Sequence, residues 1–596
     1  MSNIEIISSN YELTVYLNKN RLKKGIYLDI SNYKFLNKKF FDNSNFLPVK
    51  ESKNFKEDKD SLIKDYINLI SKLSISNHSK VWWCSEHTSK NRFTSNLAEI
   101  ILSYIKCKRF IDNHKNTNLI VIVNGANLKN YIKESIGQKK FLINKINKFF
   151  IRTKNNIFLI KNTLALLLRL LLAKIILAKY MAYNGDDKLF LIKSHFYLSS
   201  VDESQNYTDS FFDFFVNNLN KNIKIMYLVH VQENFLKSLI YIKNMNKKNI
   251  YPFEYFLSLK SIISTYLEII YHKKFNFNDT YFQGENISKI LEHEYLKKPI
   301  SISHLSIFYS LKKLTLDQFF VRAYLTYENI AWESAFIKGV KLYSPLTRII
   351  GHQHTVVPQA SLGMFVGKDE LDYKPLPHKI LTTGIETKNI IEKYSYNYGY
   401  PIVDAYALRY PNLLKHIKIK KIKNKKIKNI LIALEGIEET SKLIDIIGSQ
   451  NESLLNYNIT IRTHKVLPWK KIKKLTTVSA SSIKHFIISE DKSLTDDLNN
   501  ADVCLYWGST VCIEALSLGI PLINYNNETI LSYDPLFNCQ SLKWEFKESD
   551  SLKKIIEKID KIDSYILLEE KKTAMNYIYS YLSPPTKDKF RLFENA

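Results

Sequence analysis

Glycine and proline are scarce in this 596-residue chain, at 15 and 14 residues, which excludes collagen-like and low-complexity architectures. The five cysteines, Cys84, Cys107, Cys504, Cys512 and Cys539, include no CxxC pair. Neither a disulfide framework nor a thiolate zinc site is expected, and a reducing compartment fits. The opening Met1-Ser2-Asn3-Ile4 stretch has neither the basic nor the apolar segment of a secretory signal. Acid is in deficit: 58 Asp+Glu stand against 86 Lys+Arg, a formal charge of +28. GxGxxG, GxxxxGK[ST], HExxH and GxSxG are all absent, and Asp186-Asp187 and Asp496-Asp497 are adjacent pairs rather than a DxD metal motif. No zinc finger, RRM signature or helix-turn-helix accompanies the charge, so no nucleic-acid partner is expected.

Hydrophobic residues (45%) and aromatic residues (13%) suffice for packed cores and exclude disorder as the main state. Apolar runs predict strands at Gly25–Ile30, Lys80–Cys84, Asn118–Asn124, Lys188–His195, Lys224–His230, Val321–Tyr327, Arg348–His354 and Lys379–Gly384. Helical patterns such as Lys56–Leu73 and Leu97–Asp112 separate them. A second series follows, with strands at Asn429–Leu434, Asn458–Arg462, Lys484–Ile488, Asp502–Tyr506 and Pro521–Asn524 and helices between them. This alternation indicates βαβ units and an α/β fold of mostly parallel sheets. The predicted division is an N-terminal α/β domain over 1–410 with helical insertions near 131–185 and 235–315, a linker over 411–428, and a C-terminal Rossmann-like domain over 429–596. Eight lysines lie in Lys415–Lys428; they read as a solvated linker or as a membrane-facing basic patch. Thr163–Tyr183 is long and apolar, but Arg169, Lys174 and Lys179 interrupt it. It reads as a buried or half-buried helix, or as one lying in a membrane interface, ahead of a true span.

The motifs that could carry chemistry fall at strand ends, where open α/β sheets bind ligands. Gly508-Ser509-Thr510 follows a predicted strand and opens a helix, with Glu514 one turn in. It is either an ordinary capped helix or a phosphate site made of free N–H groups and the helix dipole. Arg462 and His464 end another strand, at a position suited to a nucleotide phosphate or ribose. Glu328 and Asn329 end the Val321–Tyr327 strand, and His352, Gln353 and His354 end the next. Glu328 could deprotonate an acceptor hydroxyl, or simply favour a helix N-terminus; His354 could balance donor charge, or be a structural histidine. Glu333 is read as helix support or an arginine partner. Asp209 is a helix cap or a further catalytic carboxylate, and Lys193 and His195 could touch substrate.

The C-terminal motifs resemble the nucleotide-binding half of GT-B glycosyltransferases, and more narrowly the bacterial transferases that use CMP-activated sialic acid or Kdo. Thr463-His464-Lys465 stands where that group has His-Pro, Gly508-Ser509-Thr510 matches its Ser/Thr turn, and Glu435-Gly436 its acidic-Gly loop. Trp82-Trp83, Thr88 to Phe93, Tyr207 to Phe212, Tyr327 to Asn329, Trp332-Glu333 and Gly351 to His354 are similar to surface-carbohydrate biosynthesis proteins of O-antigen and capsule clusters. The resemblance implies two Rossmann-like domains facing a cleft, a nucleotide-sugar donor, a glycan or lipid-linked acceptor, no catalytic metal and no further cofactor. The basic charge, the candidate interfacial helix and the lack of a secretory signal point to the cytoplasmic face of the inner membrane, with peripheral contact to anionic lipid. Alternatives are a UDP-sugar epimerase, a glycerol-phosphate polymerase-like transferase, or a non-catalytic scaffold of the assembly machinery.

Overall fold

The computed structural model describes residues 4–20, 23–30, 44–48, 59–138, 145–177, 188–246, 249–396, 399–410, 426–490, 492–527 and 529–594. Three parallel sheets organise it. The first contains β1 (Ile4–Ile7), β2 (Lys24–Asp29), β3 (Asn45–Pro48) and β4 (Leu119–Ile122) in the order β1-β4-β2-β3. The second is built from β5 (Leu189–Phe196), β6 (Lys224–Val231) and β7 (Ile250–Pro252). A small hairpin, β8 (Tyr281–Phe282) and β9 (Glu285–Asn286), intervenes. The second sheet then continues with β10 (Arg322–Thr326), β11 (Arg348–His352), β12 (Lys379–Thr382) and β13 (Ile402–Asp404), in the order β13-β12-β11-β10-β5-β6-β7. The third contains β14 (Asn429–Ala433), β15 (Asn458–Arg462), β16 (Ile487–Ser489), β17 (Val503–Tyr506), β18 (Leu522–Tyr525) and β19 (Lys543–Phe546), ordered β16-β15-β14-β17-β18-β19.

The two larger sheets are the pair of Rossmann-like units expected. Their central strands are apolar end to end because helices cover both faces: Ile430 to Ala433 and Val503 to Tyr506 are all buried. The four-stranded sheet is a further layer inside the predicted 1–410 unit. The segments anticipated as insertions are largely helical, with Lys145–Ile176 in the first and Phe235–Asn244, Leu259–Tyr271, Ser288–Lys297 and Ile302–Asp317 in or beside the second. The chain after 429 is not one unit throughout. Helix Lys587–Glu594 returns to the seven-stranded sheet, where Phe593 packs on Tyr406 at 5.0 Å and Tyr324 Oη donates to the Phe593 carbonyl at 2.5 Å.

One predicted strand is corrected. Lys80–Trp83 is a helical turn, opened by the Ser79 hydroxyl, which accepts from the Trp82 N–H. Trp82 is fully buried, stacked on Tyr295 at 5.3 Å with its Nε1–H on Ser74 Oγ. Of the Lys-rich linker, residues 411–425 lie outside the described residues, as do 178–183 of the Thr163–Tyr183 segment. The described part of that segment is helix, with Leu166, Leu170, Ala173 and Leu177 buried against the second sheet's unit. Among the described residues, no helix is long and apolar enough to cross a membrane.

Candidate active site

Glu328 stands just past the carboxyl end of β10, half-buried. The backbone there turns sharply. Asn329 has φ +61°, a left-handed conformation tolerated best by Gly and Asn, and its Nδ2 donates to the Gly363 carbonyl at 2.8 Å. Glu333 holds this turn. Its buried carboxylate accepts from the N–H groups of Glu328 (3.1 Å), Asn329 (2.6 Å) and Ile330 (3.2 Å). Burial, then the charge of Glu328, pushes the Glu333 pKa well up. Glu333 is therefore the support of the helix start, and Glu328 the carboxylate left for chemistry.

His354 follows β11 and brings Nε2 to 3.5 Å from Glu328 Oε1. Burial, reinforced by His352 and Arg409, holds the His354 pKa well below its ordinary value, so the contact is made by a neutral imidazole. Its Nδ1 is buried with no hydrogen-bond partner among the described residues, and Phe211 packs edge-on at 4.8 Å. Asn91 Nδ2 approaches Glu328 Oε2 at 3.5 Å from the other side. The Glu328 pKa is raised by burial and drawn back by Arg409 and Asn91. Arg409, in the turn after β13, is exposed and has no ion-pair partner among the described residues; it also lowers the pKa of Glu514, which burial raises.

The second-sheet residues divide by what their side chains meet. His195, at the end of β5, lies edge-on to Trp332 at 5.5 Å and bonds Gln232 through Nδ1 at 2.6 Å. Burial and the neighbouring Lys193 bring its pKa down to about 3. Lys193 is itself fully buried over the Trp332 ring at 4.9 Å, and burial brings its pKa down to about 7. His352 and Gln353 turn into the protein instead of the cleft. His352 Nε2 is 3.3 Å from the Tyr406 carbonyl, with burial depressing its pKa to about 4; Gln353 Oε1 accepts from the Thr383 N–H at 2.9 Å. Asp209 is an anchor rather than a reacting group: it accepts from Tyr207 Oη (2.8 Å) and from the Phe211 and Phe212 N–H groups (2.9 and 2.8 Å). Those bonds fix the aromatic segment that carries Phe211 to His354.

On the third sheet the dispersed motifs meet. A Cβ on Gly436 would lie 2.7 Å from His464 Nδ1, and one on Gly508 2.5 Å from Glu435 Oε2. Both glycines are there because the neighbouring side chain needs the space. Ser509 is buried, with Oγ 3.4 Å from the Val511 N–H; Thr510 is exposed and begins helix Val511–Ser517 without bonding it through its side chain. Glu514 follows, half-buried. Arg462 is not in this group: its Nη1 pairs with the buried Asp497 at 2.6 Å and donates to the Lys492 carbonyl at 3.0 Å. It braces β15 against the helix Leu494–Asn500.

The loop through Asn91 and Arg92 joins the two sides. Arg92 Nη2 donates to Glu435 Oε1 at 2.6 Å, and its guanidinium lies 3.6 Å from the Tyr533 ring centroid. Consecutive residues thus hold Glu328 of one unit and Glu435 of the other. The loop packs closely, since a Cβ on Gly363 would meet the Ser89 carbonyl at 2.7 Å and that of Glu328 at 2.8 Å. Sequence gives Asn91, Arg92 and Arg409 no individual role; Asn91 and Arg92 are marked only as part of the resembling stretch Thr88 to Phe93. Among the described residues, no group of three or more His, Cys, Asp or Glu is arranged to hold a metal ion.

Fold and site together define a two-unit α/β protein with carboxylates, imidazoles and guanidinium groups gathered at the strand ends of both units. No family model matches the chain, and no curated protein matches it. Solved structures that align with it include the glycotransferase of kitacinnamycin (9% identity, 69% of this chain and 98% of the other, TM-score 0.38). MurG of Acinetobacter baumannii aligns at 9% identity over 69% and 100% of the two chains, TM-score 0.36. UDP-GlcNAc 2-epimerase from Neisseria meningitidis, bound to UDP-GlcNAc, aligns at 13% identity over 69% and 98%, TM-score 0.37.

Proposed function

We propose that the chain is a GT-B-like glycosyltransferase of surface-polysaccharide synthesis. It moves a sugar, with a CMP-activated ulosonic acid favoured, from its nucleotide to a glycan or lipid-linked acceptor at the cytoplasmic membrane face. The observation that carries this reading is the pairing of Glu328, a half-buried carboxylate of raised pKa beside neutral His354, with the glycine-lined corner of Glu435, Gly436, His464 and Gly508. Ser509 and Thr510 offer hydroxyls and backbone N–H groups to the donor phosphate. Glu328 takes the proton of the acceptor hydroxyl as its oxygen bonds the anomeric carbon. The bond to the nucleotide phosphate breaks, and the leaving group carries away the electron pair. Arg409 offsets the negative charge of the leaving phosphate. A raised carboxylate pKa makes a better base near neutral pH than an exposed glutamate would be.

The test is a thermal-shift panel of CMP, CDP, UDP and GDP on the purified chain, followed by assay of the nucleotide that stabilises it with candidate acceptors. Stabilisation by CMP, with acceptor-dependent release of CMP from a CMP-ulosonic acid, is the expected result. Stabilisation by UDP with release in the absence of acceptor moves the assignment to an epimerase-like, sugar-modifying activity. Stabilisation by none of the four at saturation overturns the enzyme reading in favour of a scaffold.

A further inference from the structure

The long helix Lys145–Ile176 is apolar on two opposite sides. Leu159, Leu166, Leu170 and Ala173, with Leu177 just past the helix end, form one line, and all are buried in the core of the seven-stranded unit. Ile157, Leu164, Leu168, Leu171 and Ile175 form a second, and all are exposed. The two lines are offset by two residues, about 200° at 3.6 residues per turn. Packing on the protein therefore accounts for the first line and leaves the second in water.

Neighbouring helices extend the exposed line. Leu259–Tyr271 and Phe235–Asn244 both pack on the long helix. The first leaves Leu259, Ile263, Leu267 and Ile270 exposed, the second Leu236 and Ile240. Eleven large apolar side chains are thus left exposed on one helix and the two packed against it, more than the scattered single residues of an ordinary surface.

Its charge says what covers it. The long helix has seven Lys and Arg and no Asp or Glu. Two of the cations that interrupt its apolar sequence turn inward: Arg169 pairs with buried Glu254 at 3.3 Å, and Lys174 lies over the Tyr255 ring at 4.4 Å. Arg152, Lys154 and Lys161 remain exposed on the long helix, as do Lys237 and Lys260 on its neighbours. The one acid on these two neighbouring helices, Glu268, is paired with Lys80 at 3.0 Å. An apolar strip with a cationic rim is complementary to a bilayer with anionic headgroups, which takes up large side chains at the acyl boundary and attracts lysine at the surface. A partner protein face would have to be both apolar and acidic.

We propose that these three helices form a platform that docks the chain on an anionic membrane. Resting on the glycosyltransferase reading, the platform also has a sense of place. Glu254, which holds Arg169, lies in the turn directly after β7, at the same end of the sheet as Glu328 and His195. A lipid-linked acceptor held in the docked membrane thus meets the edge of the sheet whose strand ends line the cleft.

The test uses the full chain, sedimented with vesicles of phosphatidylcholine alone or with about 30% phosphatidylglycerol, at low and high salt. The expected result is capture by the anionic vesicles, weakened by salt. Capture should fall at least about tenfold for the triple variant Leu164→Gln/Leu168→Gln/Leu171→Gln and for Lys154→Glu/Lys161→Glu. All five positions are exposed, so nucleotide-induced thermal shifts should stay at the parent value. That readout separates loss of the surface from failure of the glycosyltransferase reading. Parent protein left in the supernatant with both vesicle types overturns the proposal. So does a concentration-dependent dimer that the leucine variant dissolves, because a second copy would then cover the face.

Discussion

At the scale of single residues, the site depends on how burial sets protonation. Glu328 and Glu333 are five residues apart, and the charge of Glu328 adds to the cost of ionising the buried Glu333; Glu333 spends its oxygens on three backbone N–H groups, while Glu328 keeps an open side. Removing the proton acceptor without changing shape, as Glu328→Gln, should lower turnover by about 10²-fold or more with nucleotide affinity unchanged, read by steady-state assay beside thermal shift. The pH profile carries a sign. In the proposed role Glu328 acts in its base form, so activity should rise with pH through a pKa above its ordinary 4.5. Arg409 lowers that pKa, so Arg409→Ala should move the acid limb of kcat/KM to higher pH; a limb that stays put would remove Arg409 from the site.

At the scale of elements, the loop Ser85–Asn96 is held by a buried charge cluster that its sequence does not advertise. Lys90 (φ +54°) places Nζ 2.6 Å from Glu370 Oε2 and 2.9 Å from the Phe365 carbonyl, and both charged side chains are fully buried. Lys374 approaches the same carboxylate at 3.6 Å. Lys374 still faces Glu370 when Lys90 is lost, so Lys90→Met should cost at most about 3–5 kcal/mol in urea unfolding, and Lys90→Met/Glu370→Leu should recover little of it, because the buried Lys374 then loses its partner. This is also where legibility divides. Asn458–Arg462 was readable to the residue because its alternation is local, and the Ser509–Thr510 turn because strand, small residues and helix follow one another. Lys80–Cys84 was misread because its Val and Trp residues favour strands, while the Ser79 cap and the Tyr295 stack decide for a helix. β7, β13 and β19 are missed because proline or charged residues interrupt them, so they lack the unbroken apolar run that marks the equally short β4 and β17. Arg462 read as a ligand because strand-end position was visible and its partner Asp497, thirty-five residues on, was not.

At the scale of the whole molecule, Arg92 is a strut between units, and its loss should be felt as motion. Arg92→Ala removes a charge-assisted bond worth about 1.5–3 kcal/mol and should open the cleft, seen as a larger radius of gyration in small-angle scattering. Arg92→Lys, which keeps the charge but not the planar group over Tyr533, should restore the closed dimensions only in part. The net charge of +28 is put in place by the same view: a share of it rims one apolar face, and single cations serve the cleft.

The return of the last helix has its own consequence. Phe590 and Phe593 fill the core of the seven-stranded unit beside Phe215 and Tyr406, and Lys589 pairs with Asp404 at 2.7 Å. The chain therefore crosses between its two large units twice, and the second crossing pins the last helix to the seven-stranded unit. It follows that the C-terminal half cannot be excised by a single cut near Ile427: the fragment would carry away a plug that belongs to its neighbour, and leave that neighbour with an open socket.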